Sequence, residues 1–365
     1  MRRTVLALAC LCVLLLQSGA VRAWGYQGHQ VVGDIAQQRL TTAAKDQVQQ
    51  ILNGPAPTDI DLQKALHVWH VLTLKEAGPW ADCVKSVARH DDGRFHYELS
   101  PTHPEYERPC IPFNSALERA RMEDYAKRNW STCSYKVDGV ERGCHNTFHF
   151  EDVAIQRDGF DRNDLGTNDH DLVAAINAAI AVLTDQTIPP PFPFSIRDKK
   201  EALLLLTHFI GDLHQPLHVG AIYLDPQGAA VDPDAAHAID PATETAGANL
   251  VKDQNLNLHG EWDDIPTDIG EASTEELRKE AATIVDTAGP IGGWAAQWAT
   301  DTLHVAQDAL QHLTFAPPDP PAPPYKWSVG FDDHMAYLRH MDEAKRQQLA
   351  KAGARLAQIL NTIWH

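Results

Sequence analysis

The sequence predicts a mainly α-helical protein, a single helical domain with long loops and a Cys-bearing insertion. Three observations favour the helical class. Most apolar residues recur at helical spacing, strand signals are sparse and short, and no internal repeat divides the 365 residues. An apolar content of 44% is enough for a sizeable core.

Residues 1–23 have the pattern of a secretory signal. Arg2 and Arg3 precede an apolar run from Val5 to Leu16, and Val21-Arg22-Ala23 has the small residues of a cleavage site. The run is too short to span a bilayer, and nothing later in the chain is long enough. We therefore expect cleavage before Trp24, a secreted or periplasmic protein, and no stable membrane anchor. Residues 24–365 then form the mature domain.

Apolar periodicity predicts the helices of that domain, with irregular connections between them. The linker 189–193 and the connector 316–324 are proline-rich, and the loop 225–248 has no periodicity. The predicted helices span residues 31–40, 62–77, 115–130, 171–183, 274–288, 294–313 and 333–364, with one more beginning near Lys199.

The helix from Lys199 organises the chain. Ser195 with Asp198 three residues on resembles a capping box at its start. His208 and Asp212 stand four residues apart, so both side chains leave the same helix face. Pro216 ends the helix, and His218 follows at once. Two imidazoles and a carboxylate thus reach one small volume.

A second pair with the same spacing, His259 and Asp263, follows downstream, and His29 adds a candidate near the new N-terminus. For any one of these residues, a buried core histidine or a capping aspartate is the simpler interpretation. The combination favours a metal site, because imidazole and carboxylate are ligands that Zn²⁺ accepts.

Four cysteines remain after the signal, and all fall within 83–144. An even number in an exported chain implies two disulfides. Three connectivities are open; we expect Cys83–Cys110 with Cys133–Cys144.

The net charge is −18, and removing the three arginines of the signal changes it to −21. No Lys/Arg-rich face is evident. A polyanionic partner would therefore have to be neutralised locally by something else, and bound Zn²⁺ would do so.

Three blocks together resemble the S1/P1 nuclease family of secreted, mainly helical, trinuclear-zinc enzymes. They are W-G-x-x-G-H from Trp24, H-F-x-G-D-x-H-Q-P-L-H from His208, and N-L-H-x-x-W-D from Asn257. The resemblance runs from Trp24 to the final helix. It implies three zinc ions per chain, held by Trp24, His29, Asp82, His149, His208, Asp212, His218, His259 and Asp263.

The resemblance also implies how these ligands are grouped. Trp24 (through its amine and carbonyl) and His29 would hold one zinc together with Asp212, which would bridge to a second. That second zinc would also bind Asp82, His149 and His208. The third would bind His218, His259 and Asp263. Asp82 would in addition accept the proton of the attacking water.

One ligand has two candidates in the sequence, His96 and His149. Only His149 is followed by the complete pattern His-Phe-Glu-Asp, so we choose His149 as ligand and Asp152 as the carboxylate that contacts the base. Residues 83–147, with all four cysteines, are then an insertion. His96, His103 and His145 would lie on the surface or in loops.

Lys85 and Asn249 match family positions that contact substrate phosphate, although Ala248 replaces a glycine of the family pattern beside Asn249. Lys85 could equally be a solvated surface lysine, and Asn249 could equally be a turn residue. Phe150 is a candidate platform for a base. The resemblance implies a monomeric endonuclease that cleaves single-stranded RNA or DNA to 5′-phosphate products, with 3′-nucleotidase activity as a further option. A zinc phospholipase C and a non-catalytic zinc-binding envelope protein remain alternatives.

Overall fold

Helices dominate the part of the chain that the structure describes, which confirms the mainly α-helical class of a single domain. This computed structural model describes residues 24–54, 72–98, 108–137, 139–188, 194–254, 256–266, 268–269 and 275–365. The signal at 1–23, the linker at 189–193 and much of the predicted helix 62–77 lie outside these ranges. No described helix is long and apolar enough to cross a membrane.

The α-helices of the described residues are numbered here in chain order. They are α1 (Tyr26–Arg39), α2 (Thr42–Asn53), α3 (Leu74–Ala77), α4 (Trp80–Val84), α5 (Ala116–Arg128), α6 (Leu172–Leu183), α7 (Lys199–Asp212), α8 (Pro216–Val219), α9 (Pro233–Ala236), α10 (Leu258–Asp263), α11 (Glu275–Thr283), α12 (Trp294–Leu310) and α13 (His334–Ile363). Three 3-10 helices span Arg108–Phe113, Cys144–His149 and Ile291–Gly293.

The central helix α7 is buried along its length from Glu201 to Asp212 and packs against α6, α13 and α1. Its N-cap is Asp198, whose side chain accepts a hydrogen bond from the backbone N–H of Glu201. The expected cap, Ser195, instead contacts Arg128. The helix ends at Asp212, and Pro216 begins the short helix α8, where its missing N–H costs nothing.

The strands are short and serve mainly as connections. They are β1 (Val87–Arg89), β2 (Phe95–Tyr97), β3 (Tyr135–Val137), β4 (Val140–Arg142), β5 (Val153–Ala154), β6 (Gly220–Ala221), β7 (Tyr223–Leu224), β8 (Ala230–Val231), β9 (Val251–Asp253), β10 (Leu256–Asn257), β11 (Thr314–Ala316) and β12 (Trp327–Gly330). Strands β10, β9, β12 and β11 form one sheet in that order, and the others pair in twos. The parallel pair β5–β6 joins Val153 to Gly220, so the chain just after His149 runs beside the chain just after His218.

The Cys-bearing segment is closed internally by two disulfides and is attached to the helical core by ion pairs. The expected disulfides, Cys83–Cys110 and Cys133–Cys144, are both present. Arg128 at the end of α5 makes two 2.9 Å hydrogen bonds to the fully buried Glu201 in the first turn of α7. This segment is therefore fixed against the start of the helix that carries His208 and Asp212.

Asn129 begins an Asn-x-Ser sequon, but its side chain is buried and occupied. Its amide donates to the carbonyl oxygens of Tyr125 and Ser195, and its side-chain oxygen accepts the N–H of Ser195. The sequon therefore has a structural role in the folded protein, since a glycan on Nδ2 would replace one of its two donating N–H groups.

Candidate metal centre

The last turn of α7 places His208 and Asp212 at the centre of the site, and both are fully buried. His208 Nε2 lies 3.2 Å from Asp212 Oδ2. The ring of His29, from α1, stacks on that of His208 with the centroids 3.7 Å apart. Gly211 permits this approach, because a Cβ at that position would lie 2.6 Å from His29 Nδ1.

The two carboxylate oxygens of Asp212 face different histidines. Oδ1 lies 3.3 Å from His29 Nε2, whereas Oδ2 lies 2.9 Å from His149 Nδ1 as well as facing His208. A carboxylate that presents its oxygens to two groups of imidazoles has the geometry needed to bridge two cations.

Backbone carbonyls fix the orientation of three of the imidazoles. The Nδ1 atom of His208 is 2.7 Å from the carbonyl oxygen of Gly78, that of His218 is 2.6 Å from the carbonyl of His149, and that of His259 is 2.6 Å from the carbonyl of Gly247. Each bond requires the proton to be on Nδ1 and leaves an unshared electron pair on Nε2. Histidine binds a metal in this state.

Burial holds the pKa of most of these imidazoles low; His208 differs, because the charges of Asp212 and Asp82 outweigh burial and raise its pKa. Burial lowers the pKa of His29 to about 4 and those of His149 and His259 to about 3. These rings are therefore neutral near neutral pH and can offer an electron pair to a cation.

The sequence-predicted side chains form three groups in which ligand atoms lie within 4.8 Å of one another. Two of the groups share His208. They are His29 with His208 and Asp212; Asp82 with His149 and His208; and His218 with His259 and Asp263. A further cluster, at Cys133, Cys144 and His170, holds no thiolates because its cysteines are disulfide-bonded.

These groups fit cations because several of their polar atoms are buried without a hydrogen bond. Asp82 Oδ2, Asp212 Oδ1, His218 Nε2 and His259 Nε2 make no hydrogen bond among the described residues. Leaving such atoms buried and unpaired is costly. Burial raises the pKa of Asp263 well above its ordinary value, although a hydrogen bond from Gln215 opposes the change. The carboxylates of Asp82 and Asp212 raise this pKa further. Bound cations would remove both costs.

Two supporting residues were not found from the sequence. Gln215 donates from Nε2 to Asp263 Oδ1 at 2.7 Å, which holds that carboxylate toward His218 and His259. Lys345, buried on α13, donates to the carbonyl oxygens of Glu261 and Asp264, both at 2.6 Å, and so anchors the C-terminal end of α10. Gln215 lies inside the central motif, but nothing in its position there predicts a contact 48 residues away.

Asp82 and Lys85 approach the same region from α4 and its C-cap. Lys85 Nζ lies 2.7 Å from Asp82 Oδ1, and its side chain is only 20% exposed, so it is not a solvated surface lysine. Burial favours the neutral acid, but the charges of Lys85 and the neighbouring imidazoles outweigh burial and lower the pKa of Asp82 to about 2. Asp82 is thus an anion beside a cation that could also reach a phosphate.

The structure distinguishes His149 from His96 of the Cys-bearing segment by their exposure. His149 is 2% exposed and lies within the cluster, whereas the side chain of His96 is 55% exposed and lies 3.1 Å from Glu123. The expectation for His145 was wrong: it is 3% exposed, beside Trp130 and Tyr125, because the 3-10 helix that begins at Cys144 turns its ring inward. His103 lies outside the described residues.

A cavity of about 350 Å³ has Asp152 and Glu244 in its wall, together with Ala246, the residue before Gly247. Burial and the charge of Glu244 raise the pKa of Asp152 to about 8. Phe150 precedes Asp152 and is half-buried. The cavity thus has two carboxyl groups that could bond to the polar edge of a ligand.

Asn249 belongs to a turn and is not a member of the three groups. Its Nδ2 donates to the carbonyl of Ala246 at 2.8 Å. Three successive residues of this turn, Ala246, Gly247 and Ala248, have positive φ values of 53°, 58° and 67°. This conformation aims the Gly247 carbonyl at His259, so the turn helps to orient that imidazole.

Trp24 is fully buried at the start of the described chain. The N–H of the next residue, Gly25, donates to the backbone oxygen of Asp263 at 2.9 Å. The N-terminal segment is therefore held against the end of α10, which also carries His259.

Comparisons with known proteins agree with these motifs. A family model for S1/P1 nuclease matches residues 24–122 and 114–365. The chain is also similar to Endonuclease 2 of Arabidopsis thaliana, with 24% identity over 368 residues that cover 96% of this chain and 94% of that protein.

Proposed function

Since the chain belongs to the S1/P1 nuclease family, we propose that it is a zinc-dependent endonuclease that cleaves single-stranded RNA and DNA to products with 5′-phosphates. The observation that carries this proposal is Asp212, whose two oxygens face separate imidazoles at the centre of three buried ligand groups. A hydrolase for nucleic acid needs such a concentration of cations, because both its substrate and this chain are anionic.

The ligand groups are proposed to hold three zinc ions. Trp24 would complete the group of His29 and Asp212, and Asp212 would also join the group of Asp82, His149 and His208. His218, His259 and Asp263 form the third. Bound zinc would supply a Lewis acid that activates water and stabilises negative charge on phosphate oxygens.

The protein's own residues would position the substrate and move the proton. The ionised Asp82 is proposed to orient the attacking water and to accept its proton, with Lys85 moving from Asp82 to a phosphate oxygen. Phe150 would stack on a base whose edge bonds to Asp152. Asn249 is proposed as a further phosphate contact, although its amide is engaged in its own turn in this structure.

Export fits the two disulfides, and we propose that residues 1–23 are removed and that the mature chain acts as a secreted or periplasmic monomer. Residues 83–147 are proposed to be an insertion that borders the site. Removal of the 3′-phosphate from nucleotides is proposed as a secondary activity of the same centre.

The test is to strip the mature protein of metal, restore zinc stepwise, and assay each state with single-stranded DNA, duplex DNA and lecithin. We expect cleavage of single-stranded DNA to rise as zinc approaches three ions per chain, with little action on duplex or lecithin. Preferential lecithin hydrolysis would indicate a phospholipase C. Zinc binding without hydrolysis of any substrate would indicate a metal-binding protein.

A further inference from the structure

A disulfide-closed hairpin lies beside the proposed base site. Strands β3 and β4 pair so that Tyr135 is opposite Arg142, and the disulfide Cys133–Cys144 joins the chain just before and just after the two strands. An isolated two-stranded hairpin is marginally stable in water, so the covalent link matters for the position of Tyr135.

Tyr135 turns its ring toward Phe150. The two ring centroids are 6.4 Å apart, and the planes are inclined by 53°, so the rings form an open corner and not a closed stack. Both side chains are half-buried, which leaves part of each ring accessible.

The hydroxyl of Tyr135 lies near the carboxyl groups of the cavity. Burial and the charges of Asp152 and Glu244 raise the pKa of Tyr135 to about 12, although the charge of Arg142 acts in the opposite direction. The hydroxyl therefore stays protonated. A neutral, accessible aromatic face close to these carboxyl groups is suited to a planar ligand.

We propose that Tyr135 and Phe150 form an aromatic corner that holds one nucleobase of the substrate, so that the hairpin 133–144 is a wall of the substrate site. This inference rests on the proposed nuclease function. Stacking on aromatic side chains accepts every base, because each base has a π-face, and it requires an unstacked single strand. Arg142 is exposed on the same face of the hairpin as Tyr135. Its guanidinium could therefore contact the phosphate next to the bound base.

The test separates base contacts from phosphate contacts. The zinc-loaded protein is titrated with adenosine 5′-monophosphate and, in parallel, with ribose 5-phosphate, which lacks the base. Variants are Tyr135→Ala, Tyr135→Leu, which keeps apolar bulk without a π-face, and Tyr135→Phe, which keeps the ring. Val140→Ala is the matched control, because it shortens a 54%-exposed apolar side chain of the same hairpin. Zinc content is measured for every variant.

We expect Tyr135→Ala and Tyr135→Leu to raise the Kd for adenosine 5′-monophosphate about 10-fold. The Kd for ribose 5-phosphate and the zinc content should not change, and Tyr135→Phe and Val140→Ala should behave as the wild type. Equal loss for both ligands, loss of zinc, or an unchanged Kd in Tyr135→Leu would overturn the aromatic corner alone. If the wild-type protein neither binds the nucleotide nor cleaves single-stranded DNA, the proposed function itself fails.

Discussion

Asp212→Asn should remove two zinc ions, because this single carboxylate faces both His29 and the pair His149 and His208. The substitution keeps the shape of the side chain but removes the charge that holds two cations together. At free zinc one hundred times its Kd, each site contributes about 2.7 kcal/mol to the stability of the folded state. Loss of two sites therefore costs about 5 kcal/mol, which corresponds to a fall in Tm on the order of 10 °C.

The assay is zinc per chain by mass spectrometry after dialysis, with Tm measured in zinc-loaded and zinc-stripped protein. Asp253→Asn is the matched control, because Asp253 is also buried, at 3% exposed, but lies beside His334, outside the three ligand groups. We expect three zincs in the control and one in Asp212→Asn. The Tm deficit of Asp212→Asn should largely disappear in the stripped state. Three retained zincs, or an equal deficit with and without metal, would refute the bridging role.

Three further predictions concern other parts of the site. His149→Ala should lose zinc and lower nuclease activity by orders of magnitude, whereas His96→Ala should keep its metal; the reverse pattern would reassign the ligand. Gly247→Ala should lower occupancy of the third zinc, because its Cβ would lie 2.7 Å from a backbone oxygen and 3.2 Å from an imidazole nitrogen. Its control is Gly289→Ala, because Gly289 also has a positive φ but no atom lies within 4 Å of its Cβ position. Equal zinc loss in both variants would exclude the steric explanation. The pKa of Asp152 is raised to about 8 in the folded protein, compared with an ordinary value of 3.8. Between these pH values the folded protein keeps a proton that the unfolded chain releases. The contribution of Asp152 to stability therefore declines as the pH rises through this range. Asp152→Asn should therefore flatten the fall of Tm with pH in zinc-loaded protein, and an unchanged slope would show that Asp152 is ionised.

The sequence was a good guide wherever periodicity or spacing determines the structure. The helices around 115–130, 171–183 and 294–313 appear within a few residues of their predicted bounds. The pairs His208/Asp212 and His259/Asp263 lie on single helices, so their spacing alone brings their side chains together.

Contacts between distant segments could not be predicted in the same way. The choice of Asp198 over Ser195 as N-cap depends on Arg128, which engages Ser195 from 67 residues away. The carbonyl of Gly78 that orients His208 comes from a turn 130 residues earlier in the chain. The packing of Tyr135 on Phe150 depends on how the Cys-bearing segment folds against the site.

The acidic composition and the proposed substrate agree only if charge is considered locally. The whole chain carries −18 and would repel a polyanion over most of its surface, where screening limits the effect to about 8 Å at physiological salt. Within the site, however, Asp82, Asp212 and Asp263 are buried and can attract cations at short range without dilution by solvent. Asp82 and Asp212, which stay ionised and would repel a phosphate in the metal-free protein, would thus concentrate, together with Asp263, the positive charge that binds it. Zinc should therefore be required for nucleotide binding as well as for turnover, since Lys85 is otherwise held by Asp82.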